Sequence, residues 1–503
     1  MPDRSTDSQQ AQQALQYSLG QPSVRTGIGG LSASATVVIF IGAMLFMFAS
    51  IIGKVLLGAV VIIPLTVIIA ALVSVRVGGR TLVENIVIMV YSARAKARRH
   101  NFYISGPLSR IPGGKRRLPG MFARTETVTA VDSDGREFVS IVDRARKVAT
   151  VVVDCQLTGQ TAQTQEERNR STAEWSRWLA ELSLSGDVRQ AVVVVGSRPG
   201  TGNIVAREVA ELGREEAPEV AKRIMAEAAG EISVGIPDIV SHIAISFSVE
   251  DVEDNRFVDQ LATRIPLLTQ SLSWAGIIAE PMTEEQAVAR IHSFYNPAAE
   301  ADFEELHMKG IDHGVSWQDA GPTVAVAEPG VYHHDGCHSV TWEMREGPRS
   351  TFEDRVLTGL VQPHPRILRK RVALVYRPFE AGVGARRVEA EHRDAMVAIN
   401  STKAVKSASA EMRLEHTDAA RRAQARGAQL GRYSLWVTAT LDNAEDLERT
   451  RQEVKHLAAS SSVRLQPIRN QQDVGFAVTC GFGEVPWRKQ TTKRPSLQFS
   501  ADH

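Results

Sequence analysis

Cysteine is scarce in this chain, with three residues, Cys155, Cys337 and Cys480, among 503. Their odd number and wide spacing exclude a disulfide framework and a CxxC-type zinc site, and leave buried or incidental free thiols. Net charge is nearly absent as well: 58 basic against 57 acidic side chains give a formal +1. Catalytic signatures are missing in turn, since neither a G-x-S-x-G nucleophile elbow nor an H-E-x-x-H zinc motif occurs. With 43% hydrophobic and 23% charged residues, the composition excludes a disordered chain, a collagen and a disulfide miniprotein. The length exceeds what one hydrophobic core supports, so more than one module is expected.

Charge is also absent locally. From Thr26 to Gly53 no residue is charged, and Leu31 to Ile52 consists largely of Ala, Val, Ile, Leu, Met and Phe. After Gly53-Lys54 a second uncharged run, Val55 to Val75, ends at Arg76. Each run matches the about 20 apolar residues that span a bilayer, and the short turn between them predicts a two-helix transmembrane hairpin, with Pro64 as a kink. Residues 76–117 then carry ten basic side chains against one acid, Glu84. By the positive-inside rule, both termini should be cytoplasmic and the protein a multi-pass component of the plasma membrane with the bilayer as a partner. Thr81 to Tyr91 reads as an interfacial helix feeding the basic Arg94–Arg99 stretch. The remaining residues, 118–503, carry a net charge of −9, which disfavours sequence-independent DNA binding, because that draws its affinity from neutralised phosphates. The run Arg366-Ile-Leu-Arg-Lys-Arg371 reads as a solvated strand edge or helix end.

Beyond the basic segment, strands and helices alternate. Strands are predicted at Thr125–Val131, Glu137–Val142, Val148–Val153, Ala191–Val195 and Ile239–Val249, from their β-branched runs. Helices fall at Thr164–Leu184, Ile204–Ile232 and Asn255–Trp274, the last with Phe257, Val258, Leu261, Ile265, Leu268 and Leu272 at spacings of three and four. Thr283-Glu-Glu-Gln286 makes a capping box opening a helix through Ile291. A hairpin is expected within Gly321–Met344. The last third repeats the mixed rhythm: strand Arg371–Tyr376, helix Ala385–Gln429, strand Tyr433–Leu441, helix Ala444–Ser460 and strand Val463–Pro467. The fold class is therefore α+β, an N-terminal transmembrane hairpin followed by mixed cytoplasmic domains. The boundaries are a polar tail at 1–30, the hairpin at 31–77, a basic segment at 78–120, a first module at 121–300, a connector at 301–365, a second module at 366–487 and a tail at 488–503.

Two clusters invite a chemical reading. Ala191 to Ile204 places a strand, a glycine-rich turn and a helix in the order of a phosphate loop. A P-loop needs G-x-x-x-x-G-K-[ST], because backbone amides cradle the phosphates and the Lys neutralises them. Counted from Gly196, Thr201 and Gly202 stand where Gly and Lys are required. Asp154, after Val151-Val-Val, then reads as part of an ordinary strand leading to a turn. Four possible ligands sit at His333, His334, Cys337 and His338, but Asp335-Gly336 signals a hairpin turn, and alternation would send them to opposite faces. No catalytic, cofactor-binding or metal residue is assigned, and no cofactor is expected.

The polar leader, the apolar hairpin opening Leu31-Ser-Ala-Ser-Ala and the basic exit resemble the PrgI-type inner-membrane subunit of conjugative type IV secretion systems. The segment Ser273 to Pro297 (SWAGIIAEPMTEEQAVARIHSFYNP), with Thr341–Arg349 and Gly431–Thr440, is similar to the N-terminal, non-ATPase portion of the VirB-class conjugation ATPase. The resemblance implies a fusion of these two parts in an actinobacterial transfer apparatus. Such a chain would be a non-enzymatic, membrane-anchored scaffold that recruits a separate P-loop ATPase and other channel subunits within an oligomeric complex. It implies no direct contact with nucleic acid. Trp274, Phe294 and Tyr295 are the interface candidates. A membrane-anchored regulator and an unrecognised membrane-bound enzyme are the alternatives.

Overall fold

A computed structural model of the chain describes residues 15, 17, 33–77, 80–106, 109, 117–157, 163–212, 214, 216–233, 237–250, 254–348, 351–401 and 408–485. Most of both predicted tails, and Arg110, Lys115 and Arg116 of the basic segment, lie outside the described residues. The chain forms two compact units, Gly20–His100 with Trp487–His503, and Met1–Leu19 with Asn101–Pro486.

In the first unit the transmembrane expectation is overturned: among the described residues, no helix is long and apolar enough to cross a membrane. Helix α1, Ala33–Ile51, has 19 residues, a rise of about 28 Å against a hydrocarbon core of about 30 Å. The second apolar run is not one helix. It divides into a turn at Val55–Leu57, a π-helical segment at Gly58–Ile62 and helix α2, Ile63–Ser74, which Pro64 opens. Twelve α-helical residues rise only about 18 Å. The transmembrane hairpin, the multi-pass plasma-membrane localisation and the orientation built on them are accordingly withdrawn. Residue counting found apolar runs of sufficient length, but not where the hydrogen-bonding pattern changes within them. The two helices do pack on each other, because Gly42 lets α1 approach Thr66 so closely that a Cβ would overlap its side chain. Helix α3, Leu82–Ala97, opens on a capping box in which Thr81 and Glu84 satisfy each other's amides.

The second unit is organised by one antiparallel sheet of thirteen strands. In chain order these are β1 (Phe102–Ile104), β2 (Thr125–Val131), β3 (Glu137–Asp143), β4 (Val148–Leu157), β5 (Val188–Pro199), β6 (Pro237–Ser248), β7 (Ile277–Pro281), β8 (Val324–Ala327), β9 (Tyr332–His334), β10 (Cys337–Glu346), β11 (Arg369–Pro378), β12 (Gly431–Leu441) and β13 (Arg464–Pro467). The spatial order is β1-β8-β9-β10-β12-β11-β5-β6-β4-β3-β2, with β7 also on β4 and β13 also on β10. The helices of this unit are α4 (Gln165–Leu184), α5 (Asn203–Leu212), α6 (Glu219–Ser233), α7 (Phe257–Trp274), α8 (Glu284–Tyr295), α9 (Glu300–Met308), α10 (Thr358–Val361), α11 (Ala381–Ser401), α12 (Ala408–Ala425), α13 (Leu447–Ser460) and α14 (Gln472–Cys480).

From β2 to β8 this order is a palindrome about the β5/β11 pair. The connections repeat with it. In the first copy α4 joins β4 to β5, the pair α5 and α6 joins β5 to β6, α7 joins β6 to β7, and α8 follows. In the second copy α10, the pair α11 and α12, α13 and α14 occupy the same places among β10, β11, β12 and β13. The unit is thus an internal duplication, residues 125–295 and 324–480, joined by antiparallel pairing of β5 with β11 in register Ala191↔Tyr376 to Ser197↔Lys370.

Alternation along the central strands assigns the two cores. Val192, Val194, Ala244, Ala373 and Val375 face one side, where α8 and α14 cover them through Val288, Ile291, Phe476 and Val478. Ala191, Ile243, Ile245 and Tyr376 face the other, against Trp178 of α4 and Leu261, Ile265, Leu268 and Leu272 of α7. Strands covered on both faces read as continuous apolar runs, which is what Ala191-Val-Val-Val-Val195 shows. All six periodic apolar positions predicted for α7 are buried.

Candidate functional site

On the α8 side of the sheet a cleft of about 240 Å³ opens at the seam of the two copies. Its floor carries Asp154 of β4, Gly196 and Arg198 of β5, and Arg369 and Arg371 of β11, while α8 and α9 contribute Arg290, Glu300 and Glu304. Sheet geometry selects these groups. Gly196 lies opposite Arg371 in the β5/β11 register, where a Cβ would press on Val240 Cγ2 at 3.2 Å and meet the Arg371 stem at 3.4 Å.

Most of the charge in the cleft is matched. Arg198 Nη1 donates to Glu300 Oε1 at 2.7 Å and its Nε to Asp238 Oδ2 at 2.7 Å. Arg369 Nη1 donates to the other Glu300 oxygen at 2.5 Å. Arg290 Nη2 donates to Asp154 Oδ1 at 3.0 Å, but its Nη1 is buried without a hydrogen-bond partner among the described residues. Arg371 is the exception. It is 7% exposed, its guanidinium carbon lies 4.3 Å over the Phe294 ring of α8 and 4.5 Å over the Phe476 ring of α14, and its Nε and Nη2 find no acceptor among the described residues. Both rings lie within cation–π distance of the charge, but an aromatic ring offers no lone pair to the two N–H groups left unserved. Burial pulls its pKa down, yet an arginine stays protonated.

One neighbour shows the same field, and a second is buried without it. His242 of β6 is fully buried, its Nε2 donates to the Cys480 carbonyl at 3.0 Å, and it is held neutral with a pKa of about 3, by burial first and then by the charge of Arg290, with Arg371 adding to it. Lys370 points to the opposite face, where its Nζ donates to the Gln362 carbonyl at 2.7 Å, and burial alone lowers it to about 8. The Arg366–Arg371 run is therefore not a solvated edge. It leads into the central strand β11, with Lys370 and Arg371 buried on opposite faces. The passage of the run straight into the apolar Val372-Ala-Leu-Val375 was the one signal of its place in a strand.

The phosphate-loop segment takes a different form from a P-loop. Strand β5 runs to Pro199, so Gly196 is paired backbone and not part of a loop. Only 200–202 form the turn, where Thr201 Oγ1 donates to Glu304. Asp154 is likewise inside β4 and not at its end. The histidine cluster is split by the hairpin. His333 and His338 are cross-strand partners with their Nδ1 atoms 2.6 Å apart, whereas His334 turns inward to the Tyr295 carbonyl and Ser339 Oγ. Cys337, across from His334, bonds to Asp442. A second grouping, Glu285, Asp312 and His313, brings possible ligand atoms together. Both ring nitrogens of His313 are engaged, however: Nε2 donates to the Glu285 carbonyl and Nδ1 accepts from the Val315 amide. A metal would have to break one of these bonds.

All three cysteines are free and buried, and burial raises Cys155 and Cys480 to about 12 and Cys337 to about 11. None has the lowered pKa of a nucleophile. Of the interface candidates, Trp274 is 57% exposed at the end of α7, while Phe294 and Tyr295 are core residues.

A family model described as a domain of unknown function (DUF8461) matches residues 24–84, ahead of the thirteen-stranded sheet. No curated protein matches the chain.

Proposed function

We propose that the chain is a structural component that works by contact and recruits a separate P-loop ATPase. The observation that carries this reading is Gly196 locked in the β5/β11 ladder. The one segment with the order of a phosphate loop is committed to the middle of the sheet, and a Gly stands where the phosphate-binding Lys is needed. Energy for any transport step would then come from another chain. The class of that partner is supported by the resemblance of Ser273–Pro297 and Gly431–Thr440 to the non-ATPase portion of the VirB-class conjugation ATPase.

The form of the unit suits contact. The helix pairs α5 with α6 and α11 with α12 leave the central strands as long excursions, packed on each other, and carry exposed apolar side chains such as Val220, Ile224, Met225 and Val397. These are groups that a docked partner would cover. The test uses the tagged full-length chain in two assays. It should show no magnesium-dependent ATP turnover when pure, and it should retrieve a P-loop ATPase from extracts of its source cells. Turnover that is lost on changing residues 196–202 would overturn the reading, and so would recovery of partners that include no such ATPase.

A further inference from the structure

The cleft at the β5/β11 seam has more cationic donors than its acids use. We propose that it binds the phosphate group of a small phosphorylated molecule, with Arg371 as the charge anchor and Arg290 as the second donor. Three buried N–H-bearing atoms, Arg371 Nε and Nη2 and Arg290 Nη1, lack acceptors among the described residues. They belong to two side chains that line the same cleft and approach it from different elements, β11 in the floor and α8 in the roof. Donors arriving from two directions match a tetrahedral phosphate, which presents at least three acceptor oxygens, better than a planar carboxylate with two. Both cations also act on His242, so their fields overlap.

The energetics favour a ligand over a purely structural Arg371. A buried guanidinium without a carboxylate carries a desolvation cost that cation–π contacts with two rings return only in part. Arg369 and Arg198, beside it, show the alternative: both are paired with Glu300, and Arg198 with Asp238 as well. A volume of about 240 Å³ lies below the roughly 300–1,000 Å³ of sites for drug-sized molecules, which limits the ligand to a compact one. The further acids lining the cleft, Glu285 and Glu304, oppose highly charged polyphosphates.

The experiment is thermal denaturation of the full-length chain in sodium phosphate titrated against sodium chloride at constant ionic strength, with succinate as a parallel arm. Phosphate should raise the Tm along a saturating curve, because a ligand of the native state stabilises it by mass action. Arg371→Met should erase the phosphate response while leaving the Tm in chloride equal to or above that of the parent. Arg371→Lys keeps the charge but loses the planar fork, and should move the phosphate midpoint at least tenfold higher. It also decides the matter if the Met variant does not fold. The proposal fails if phosphate gives no saturable rise over chloride, if succinate matches or exceeds phosphate, or if neither Arg371 variant alters the response.

Discussion

His242 and His334 sit neutral in the core, each with a pKa of about 3, for which burial is the largest cause. Unfolded, each returns to about 6.5. The unfolded chain therefore binds more protons between these values, and stability falls as pH drops below about 6.5. From pH 7 to pH 5 the loss should be about 2 kcal/mol for each histidine. Urea midpoints at the two pH values check this, and replacing His334 with an uncharged Gln should remove a share of the dependence. Gly481 is a second sensitive point. It ends α14 at φ +70°, and a Cβ there would lie 2.5 Å from Val194 and 2.9 Å from His242. Gly481→Ala should cost about 3 kcal/mol, from backbone strain and overpacking together, read from the urea midpoint at pH 7. Such residues are poorly legible in sequence. Gly481 follows a Cys in an unremarkable run, and Arg371 stands in a basic stretch of a kind that is usually on the surface. What buries them is pairing with strands far away in the chain.

Helix ends were the most legible elements, because a cap is a contact within four residues. The Thr283/Gln286 capping box is present, and the same chemistry opens α4 at Thr164 and Glu167. Thr283→Ala should cost about 1 kcal/mol by freeing the Gln286 amide, measurable as a shift in chemical denaturation with an unchanged m-value. Elements were missed where continuity had to be judged from composition alone. The stretches at 204–232 and 385–429 each hold two helices rather than one, because Ala, Glu and Arg favour helix on either side of a break. The second apolar run near the N-terminus is divided by a π-helical segment, and a hydropathy count carries no information on hydrogen-bond pattern.

On the scale of the molecule, the rhythm of strands and helices in the last third was legible as a return of the earlier one. The palindromic sheet was not, since which strand lies beside which depends on contacts between distant residues. The β5/β11 pairing makes one sheet of the two copies. Residues 118–300 expressed alone should therefore associate or aggregate through the free β5 edge, and co-expression with 301–485 should restore a soluble complex. A monomeric first fragment as stable as the intact chain would refute this.

That pairing also sets an order of events during synthesis. Ala191 meets Tyr376 across the seam, so the edge of β5 stays open until about 185 further residues have been made. At ribosomal rates that is roughly 10–40 s. For that interval the nascent chain carries an apolar strand, Ala191-Val-Val-Val-Val195, with one side unpaired. Its fate depends on how quickly translation delivers the second copy, and chaperones that shield strand edges should raise the yield of this chain more than slower expression does.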